Sequence, residues 1–263
     1  MVDPDVSRSV KLYHYTSLDG FMGIVRSRSF WASDIRYMND SSEYRLAFEL
    51  GKPKLSTGTV DSIVAKMIQK LEIAPIYIVS LSEKSDDLGQ WRGYTPNGIG
   101  VCFALSHYFY EAQCKAQSAS IAMCSYLPDR QRELINNLLD TFAEVASFHR
   151  TTEKQLDSIV RGFWIDFGAR MKHNAFEQEA EWRIVAEKAG REEQHRTRNG
   201  KSTIIPYIEF PICEPRASLE FEEVVVGPSP NQQLAVSAVA RFLDSEGCEC
   251  KTLRSTGIPL LAW

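Results

Sequence analysis

The sequence has little of what marks membrane proteins, secreted frameworks or proteins that coat polyanions. None of its apolar runs approaches the roughly 20 residues that span a bilayer. Neither sign of charge dominates: 30 Lys and Arg face 34 Asp and Glu, for a formal net charge of −4. Binding nucleic acid by charge alone is thereby excluded. The opening MVDPDVSRSVK holds no apolar signal core, so a cytoplasmic protein without membrane attachment is expected. The six cysteines are scattered, mostly among apolar neighbours, and no C-x-x-C occurs. They read as buried, reduced thiols, and the Cys248-x-Cys250 pair, with no second ligand pair nearby, reads as part of a strand.

Signatures of familiar enzymes are missing too. There is no G-x-x-x-x-G-K-[ST], no G-x-S-x-G and no H-E-x-x-H. Gly98-Ile99-Gly100 lacks the third glycine of a dinucleotide fingerprint and opens a strand instead of a helix. The five histidines (His14, His107, His149, His173 and His195) show no metal-ligand spacing.

What is present is an ordinary globular composition, 44% hydrophobic and 24% charged over 263 residues. With no repeat or linker, the chain reads as a single domain over 1–263. Residues 10–15 (VKLYHY) predict a strand, and Ser17 caps a helix striped by Leu18, Phe21, Met22 and Val25. Residues 30–33 predict a second strand, and Asn39, Asp40, Ser41 and Ser42 a turn leading into a helix with Glu43 in its first turn. Residues 51–60 read as a polar loop. Ile63, Met67 and Leu71 mark a helix ended by Pro75, and residues 76–81 a strand. Residues 82–98 read as a long polar loop with several glycines, of the kind that carries function. Strands follow at 99–105 and 118–126, then two amphipathic helices that form an insertion at about 128–175. Residues 181–186 (EWRIVA) predict a strand, 188–202 an exposed basic loop, and 204–210 another strand. The end reads as a β-α-β unit: a strand at 224–226, a helix capped by Ser229 with Pro230 at its first position, a stop at Gly247, and a strand at 248–253. The fold class expected is α+β (mixed α/β).

Four clusters put polar groups where the pattern calls for core. His14-Tyr15-Thr16 ends the first strand, where an imidazole either meets a ligand or bonds a backbone carbonyl. Asn39-Asp40 with Glu43 is either an acidic site or a helix cap. Trp91-x-x-Tyr94 offers aromatics that stack on a flat ring or anchor their loop. In Glu179-Ala180-Glu181-Trp182-Arg183, a strand sets Glu179, Glu181 and Arg183 on one side, as a cleft or a solvent face requires.

In order, these motifs resemble a widespread bacterial family labelled as a domain of unknown function, over roughly residues 10–255. The arrangement is also similar, more distantly, to the His-Tyr-Glu type of ADP-ribosyltransferases, which include nucleic-acid-modifying toxins. That resemblance implies a split mixed sheet and NAD as substrate. It implies that His14 and Thr16, with Tyr15 between them, bind the nicotinamide-side ribose. Tyr94 or Trp91 would stack on nicotinamide, Glu181 would be the catalytic acid, and Glu179 the first acid of the pair, near the acceptor. The usual Ser-Thr-Ser segment has no match; Ser80-Leu81-Ser82 comes nearest. A toxin or phage-defence effector acting on nucleic acid or protein is implied as well.

The chemistry needs a fixed, ionised carboxylate beside a cation-like sugar. Arg183 either holds Glu181 ionised or binds a phosphate bidentately. Two other readings compete. One is a nuclease or hydrolase built on Asp40, Glu43, Glu179 and Glu181, with Mg²⁺. The other is a non-catalytic binding module in which Trp91 and Tyr94 grip a partner and no pocket joins His14 to Glu181.

Overall fold

The computed structural model describes residues 10–38, 43–58, 60–95, 98–148, 150–187, 196–200, 203–213 and 218–259. The chain begins with β1 (Leu12–Thr16), and Ser17 accepts a hydrogen bond from the Gly20 N–H to start α1 (Leu18–Ser27). Gly20 permits this tight entry, because a Cβ there would lie 2.1 Å from Thr16 Oγ1. β2 (Ser29–Asp34), α2 (Glu43–Ser56), α3 (Ser62–Leu71) and β3 (Ile76–Ser82) follow. Next come α4 (Leu88–Tyr94), β4 (Val101–Leu105), α5 (His107–Ala116) and β5 (Ser120–Met123). α6 (Pro128–Ser147) and α7 (Glu153–Gly168) fill the stretch read as a helical insertion. The rest is β6 (Glu181–Glu187), β7 (Arg196–Asn199), β8 (Ile204–Pro211), β9 (Leu219–Phe221), β10 (Glu223–Val226), α8 (Gln232–Ser245), β11 (Cys248–Cys250) and β12 (Leu253–Ser255).

The fold is mixed α+β around an open sheet in the order β12-β10-β4-β1-β3-β2-β8-β7, with β6 also on β3 and β5 on β6. β3 is the hinge of this sheet. It pairs with β6 over its whole length, from Ile76↔Glu187 to Ser82↔Glu181. On the opposite edge β2 takes Tyr77 and Ile78, and β1 takes Ser82. Between those junctions Val79, Ser80 and Leu81 have no partner strand on that edge among the described residues, so the sheet splits there.

Among the described residues two large cores pack on the sheet, and a smaller cluster gathers Tyr13, Tyr15, Trp91, Cys102, Ala104 and Val225. Alternation along β6 sends Trp182, Ile184 and Ala186 into one, with Phe21, Phe30, Phe103 and Val239, and sends Val185 into the other. The second core holds the inner faces of α2, α3, α6 and α7, including Ala47, Ile68, Leu139 and Trp164, against Ile76 and Ile78. The expected stripes hold at Phe21, Val25, Met67 and Leu71, which are buried, while Leu18 and Ile63 at their N-terminal ends face solvent and Ile24 and Val64 are buried as well. No helix among the described residues is long and apolar enough to cross a membrane.

Several expectations are corrected. Residues 51–56 are helix, not loop, with Pro53 inside it. Buried Gly51 lies against Trp164, and that packing carries the helix through two residues of poor propensity. The presumed loop 82–98 contains α4, capped by Asp87, which accepts from the Gln90 N–H. The basic loop contains β7, whose Arg196–Asn199 backbone pairs with β8. Asn231, not Ser229, caps α8 by accepting from the Leu234 N–H. The last strand is two strands, β11 on β9 and β12 on β10, each parallel, so β10-α8-β12 is the β-α-β unit. Asn39, Asp40, Ser41 and Ser42 lie outside the described residues.

Candidate functional site

The split in the sheet opens into a cavity of about 710 Å³. Because it lies at a strand junction, consecutive residues of both parities reach it: Tyr13 to Ser17 from β1 onward, and Ile78 to Leu81 from β3. Trp31 and Ser33 of β2, Tyr94 of α4, Glu179 and Glu181 line it too. His14, Tyr94 and Glu181 thus converge on one hollow although the chain separates them widely.

His14 bonds a backbone carbonyl and also lines the cavity. Its Nδ1 donates to the Ser80 carbonyl oxygen at 2.9 Å, taking the place of the missing strand partner, and the side chain still lines the cavity. A carbonyl accepts only, so Nδ1 carries the hydrogen and Nε2 remains an acceptor. Edge contacts with Phe30 and Phe103, at 5.1 and 5.6 Å between centroids, fix the ring. Burial lowers its pKa to about 4 and keeps it neutral. Thr16 is fixed by Gly100, where a Cβ would lie 2.3 Å from the Thr16 carbonyl oxygen. Tyr15 lines the cavity and donates its hydroxyl to the Lys84 carbonyl. Ser80 Oγ is buried without a hydrogen-bond partner among the described residues.

The two aromatics part company. On a helix, Trp91 and Tyr94 are three positions apart. Trp91 is fully buried, donates its indole N–H to Asp86 and packs edge-on against Tyr15 at 4.7 Å; it is an anchor and does not line the cavity. Tyr94 lines the cavity and donates to Glu179 Oε2 at 2.9 Å.

The acid end is an ionic cluster. Glu181, 2% exposed, accepts from Arg183 Nε on Oε1 at 2.8 Å, and on Oε2 from Arg183 Nη2 at 3.0 Å and Lys172 Nζ at 2.6 Å. These two cations outweigh the cost of burial and hold its pKa at about 2, so it is ionised. Glu43 bonds Arg183 and lies 3.4 Å from Lys172, which also reaches Glu179 Oε2 at 2.7 Å. Burial pushes the Glu43 carboxyl up and the carboxylates push Lys172 up. Glu179 belongs to a 3-10 helix (Asn174–Glu179), not to β6, and Ala180 in left-handed backbone (φ 44) turns the chain into the strand. The two acids therefore meet through Lys172 and not through strand parity. Arg183 serves Glu43, Glu181 and the Ala169 carbonyl, and does not line the cavity.

Lys172, Trp31 and Ser33 escaped the sequence reading, and Arg198 was read only as one cation of an exposed basic loop. Trp31 and Ser33 were detectable, because alternation with buried Phe30 and Ala32 sends them to the other face. Lys172 follows α7 in a non-periodic stretch, and no local pattern marks it. Glu43, Glu179 and Glu181 come together around two cations. Among the described residues no set of three or more His, Cys, Asp and Glu side chains is placed to hold a metal ion.

A family model described as a protein of unknown function (DUF2971) matches residues 90–184, a span that includes Tyr94, Lys172, Glu179, Glu181 and Arg183. This supports the likeness to a domain-of-unknown-function family and says nothing of ADP-ribosyl transfer. No curated protein and no solved structure matches the chain.

Proposed function

We propose that this chain is an ADP-ribosyltransferase-like enzyme that consumes NAD and passes its ADP-ribose to a macromolecule, nucleic acid or protein. One observation carries the reading. The neighbouring strands β1, β3 and β6 bring His14, Ser80 and Glu181 to a single cavity at the split of the sheet.

Glu181 suits its role. A carboxylate has about four acceptor positions, and Arg183 and Lys172 take three of them. The fourth, on Oε1, is left for a ribose hydroxyl. The bond between the ribose and the nicotinamide nitrogen breaks, and its electron pair leaves with neutral nicotinamide. The fixed carboxylate stabilises the oxocarbenium charge until a nucleophile of the acceptor attacks and gives up its proton. His14 and Thr16 position the ribose, and the Tyr94 ring faces the leaving base. The hydrolase reading is weaker, because its carboxylates are spent on Lys172 and Arg183 and Asp40 lies outside the described residues. A mere binding module has no need of a cavity joining His14 to Glu181.

Incubation with NAD, with nucleic acid or protein offered as acceptor, tests the reading by chromatography of free nicotinamide. The wild type is expected to release it, and Glu181→Gln to release it roughly 100-fold or more slowly. Equal release by the variant, or none by the wild type, overturns the assignment.

A further inference from the structure

The end of the cavity away from the acid cluster holds a cation that no carboxylate among the described residues neutralises. Arg198 of β7 reaches across β8 to β2, where its Nη2 donates to Ser33 Oγ at 2.9 Å. Ser33 is itself buried, and both residues line the cavity. Among the described residues no carboxylate lies within ion-pair distance of Arg198. The contrast with its neighbours is sharp. Arg196, two residues earlier on the same strand, pairs with Glu209 at 2.7 Å, and the buried Arg183 serves two carboxylates.

A guanidinium keeps its charge under any ordinary condition and has five N–H donors. Half-buried, with no counter-ion among the described residues, it is costly to maintain. His14 and Arg198 line the same hollow, and the guanidinium adds to the burial that keeps the imidazole neutral. Planar forked donors match a phosphate or a carboxylate bidentately, and a diphosphate offers the larger charge to an otherwise unopposed cation. The cavity therefore has opposite polarities: three carboxylates against two cations near Glu181, and an unopposed cation near Ser33. That order suits a ligand with an anionic middle and a reacting end on which positive charge develops.

We infer that Arg198, held by Ser33, is the seat for the phosphates of a nucleotide diphosphate in this cavity. The inference deepens the NAD reading and rests on it only for the identity of the nucleotide. The seat itself is tested with probes that are not turned over.

Calorimetric titration at low salt with ADP, with inorganic pyrophosphate and with adenosine compares the wild type with Arg198→Gln and Arg198→Lys. ADP and pyrophosphate are expected to bind the wild type, and Arg198→Gln to weaken both roughly tenfold to hundredfold. Arg198→Lys keeps the charge but loses the fork and falls between. Adenosine is expected to be indifferent to the substitution. Both variants should melt within a few degrees of the wild type, and Arg198→Lys guards against a folding defect in the glutamine variant. Where NAD is consumed, Arg198→Gln raises KM and spares kcat, the opposite of Glu181→Gln. ADP affinity that depends on Arg198 without any nicotinamide release sinks the transferase reading and leaves the seat standing. Equal affinity in wild type and Arg198→Gln, binding of neither anion by the wild type, or binding of an oligonucleotide alone overturns the seat.

Discussion

His14 shows how a single imidazole records the break in the sheet. Where β1 and β2 leave β3, the Ser80 carbonyl needs a donor, and His14 Nδ1 supplies it from beside two stacked phenylalanine rings. The site is dry enough that charging the ring is unfavourable, and its pKa falls from 6.5 to about 4. A base with a depressed folded pKa binds protons less readily in the folded state than in the unfolded one. Stability is then unaffected above pH 6.5, declines as the pH falls from 6.5 to about 4, and levels off below. The loss amounts to roughly 3 kcal/mol at most. Urea melts across that range are expected to show the decline in the wild type and a flatter profile in His14→Gln. An imidazole that titrates near 6.5 by NMR contradicts this. Glu181 works in the opposite sense and lower on the scale. Its folded pKa of about 2 is below the ordinary 4.5, so the stability it adds above 4.5 is lost as the pH falls toward 2.

Elements differ in how plainly the chain announces them. β1, β3, β6 and β10 stand out because β-branched and aromatic residues crowd into short runs, and α6 and α7 because their stripes persist over several turns. α4 is hidden: it has seven residues, follows polar ones, and buries Gln90 and Trp91 without a stripe. Its start depends on Asp87, whose carboxylate takes the Gln90 N–H at 3.1 Å while its own N–H donates to Tyr15 Oη. Asp87→Ala is expected to cost about 1 kcal/mol. It should also loosen Tyr94 and so raise the KM for NAD; a lowered melting temperature with unchanged KM would show that the cap serves stability alone. β7 is hidden for another reason, since its polar residues owe their extended form to pairing with β8 and not to their own preference. The same division runs through the site. His14, Thr16 and Glu181 are legible because they stand on strands that the pattern reveals. Lys172 is not, and Arg198 shows only as one cation of a basic stretch, because their places come from what the folded chain puts beside them.

At the scale of the whole molecule the acid cluster is also the joint between sheet and helical layer. Glu43 comes from α2, Lys172 and the Ala169 carbonyl from the end of the α6–α7 insertion, and Glu181 and Arg183 from β6. Charges buried this deeply are strongly destabilising when one partner is removed, because the remaining ones lose their compensation. Arg183→Met is thus expected to cost about 3–5 kcal/mol, leaving Glu43 and Glu181 facing each other. Glu43→Gln in the same background removes part of that repulsion. The double variant should therefore be more stable than the sum of the two single losses implies, by roughly 1–3 kcal/mol. Because the cluster is screened by protein and not by solvent, raising the salt concentration should leave that coupling unchanged. Urea melts of the four proteins at two salt concentrations measure it. Simple additivity would mean that Glu43 and Arg183 do not act on each other, and the polar joint would then rest on Lys172 with Glu181 and on Arg183 with the Ala169 carbonyl.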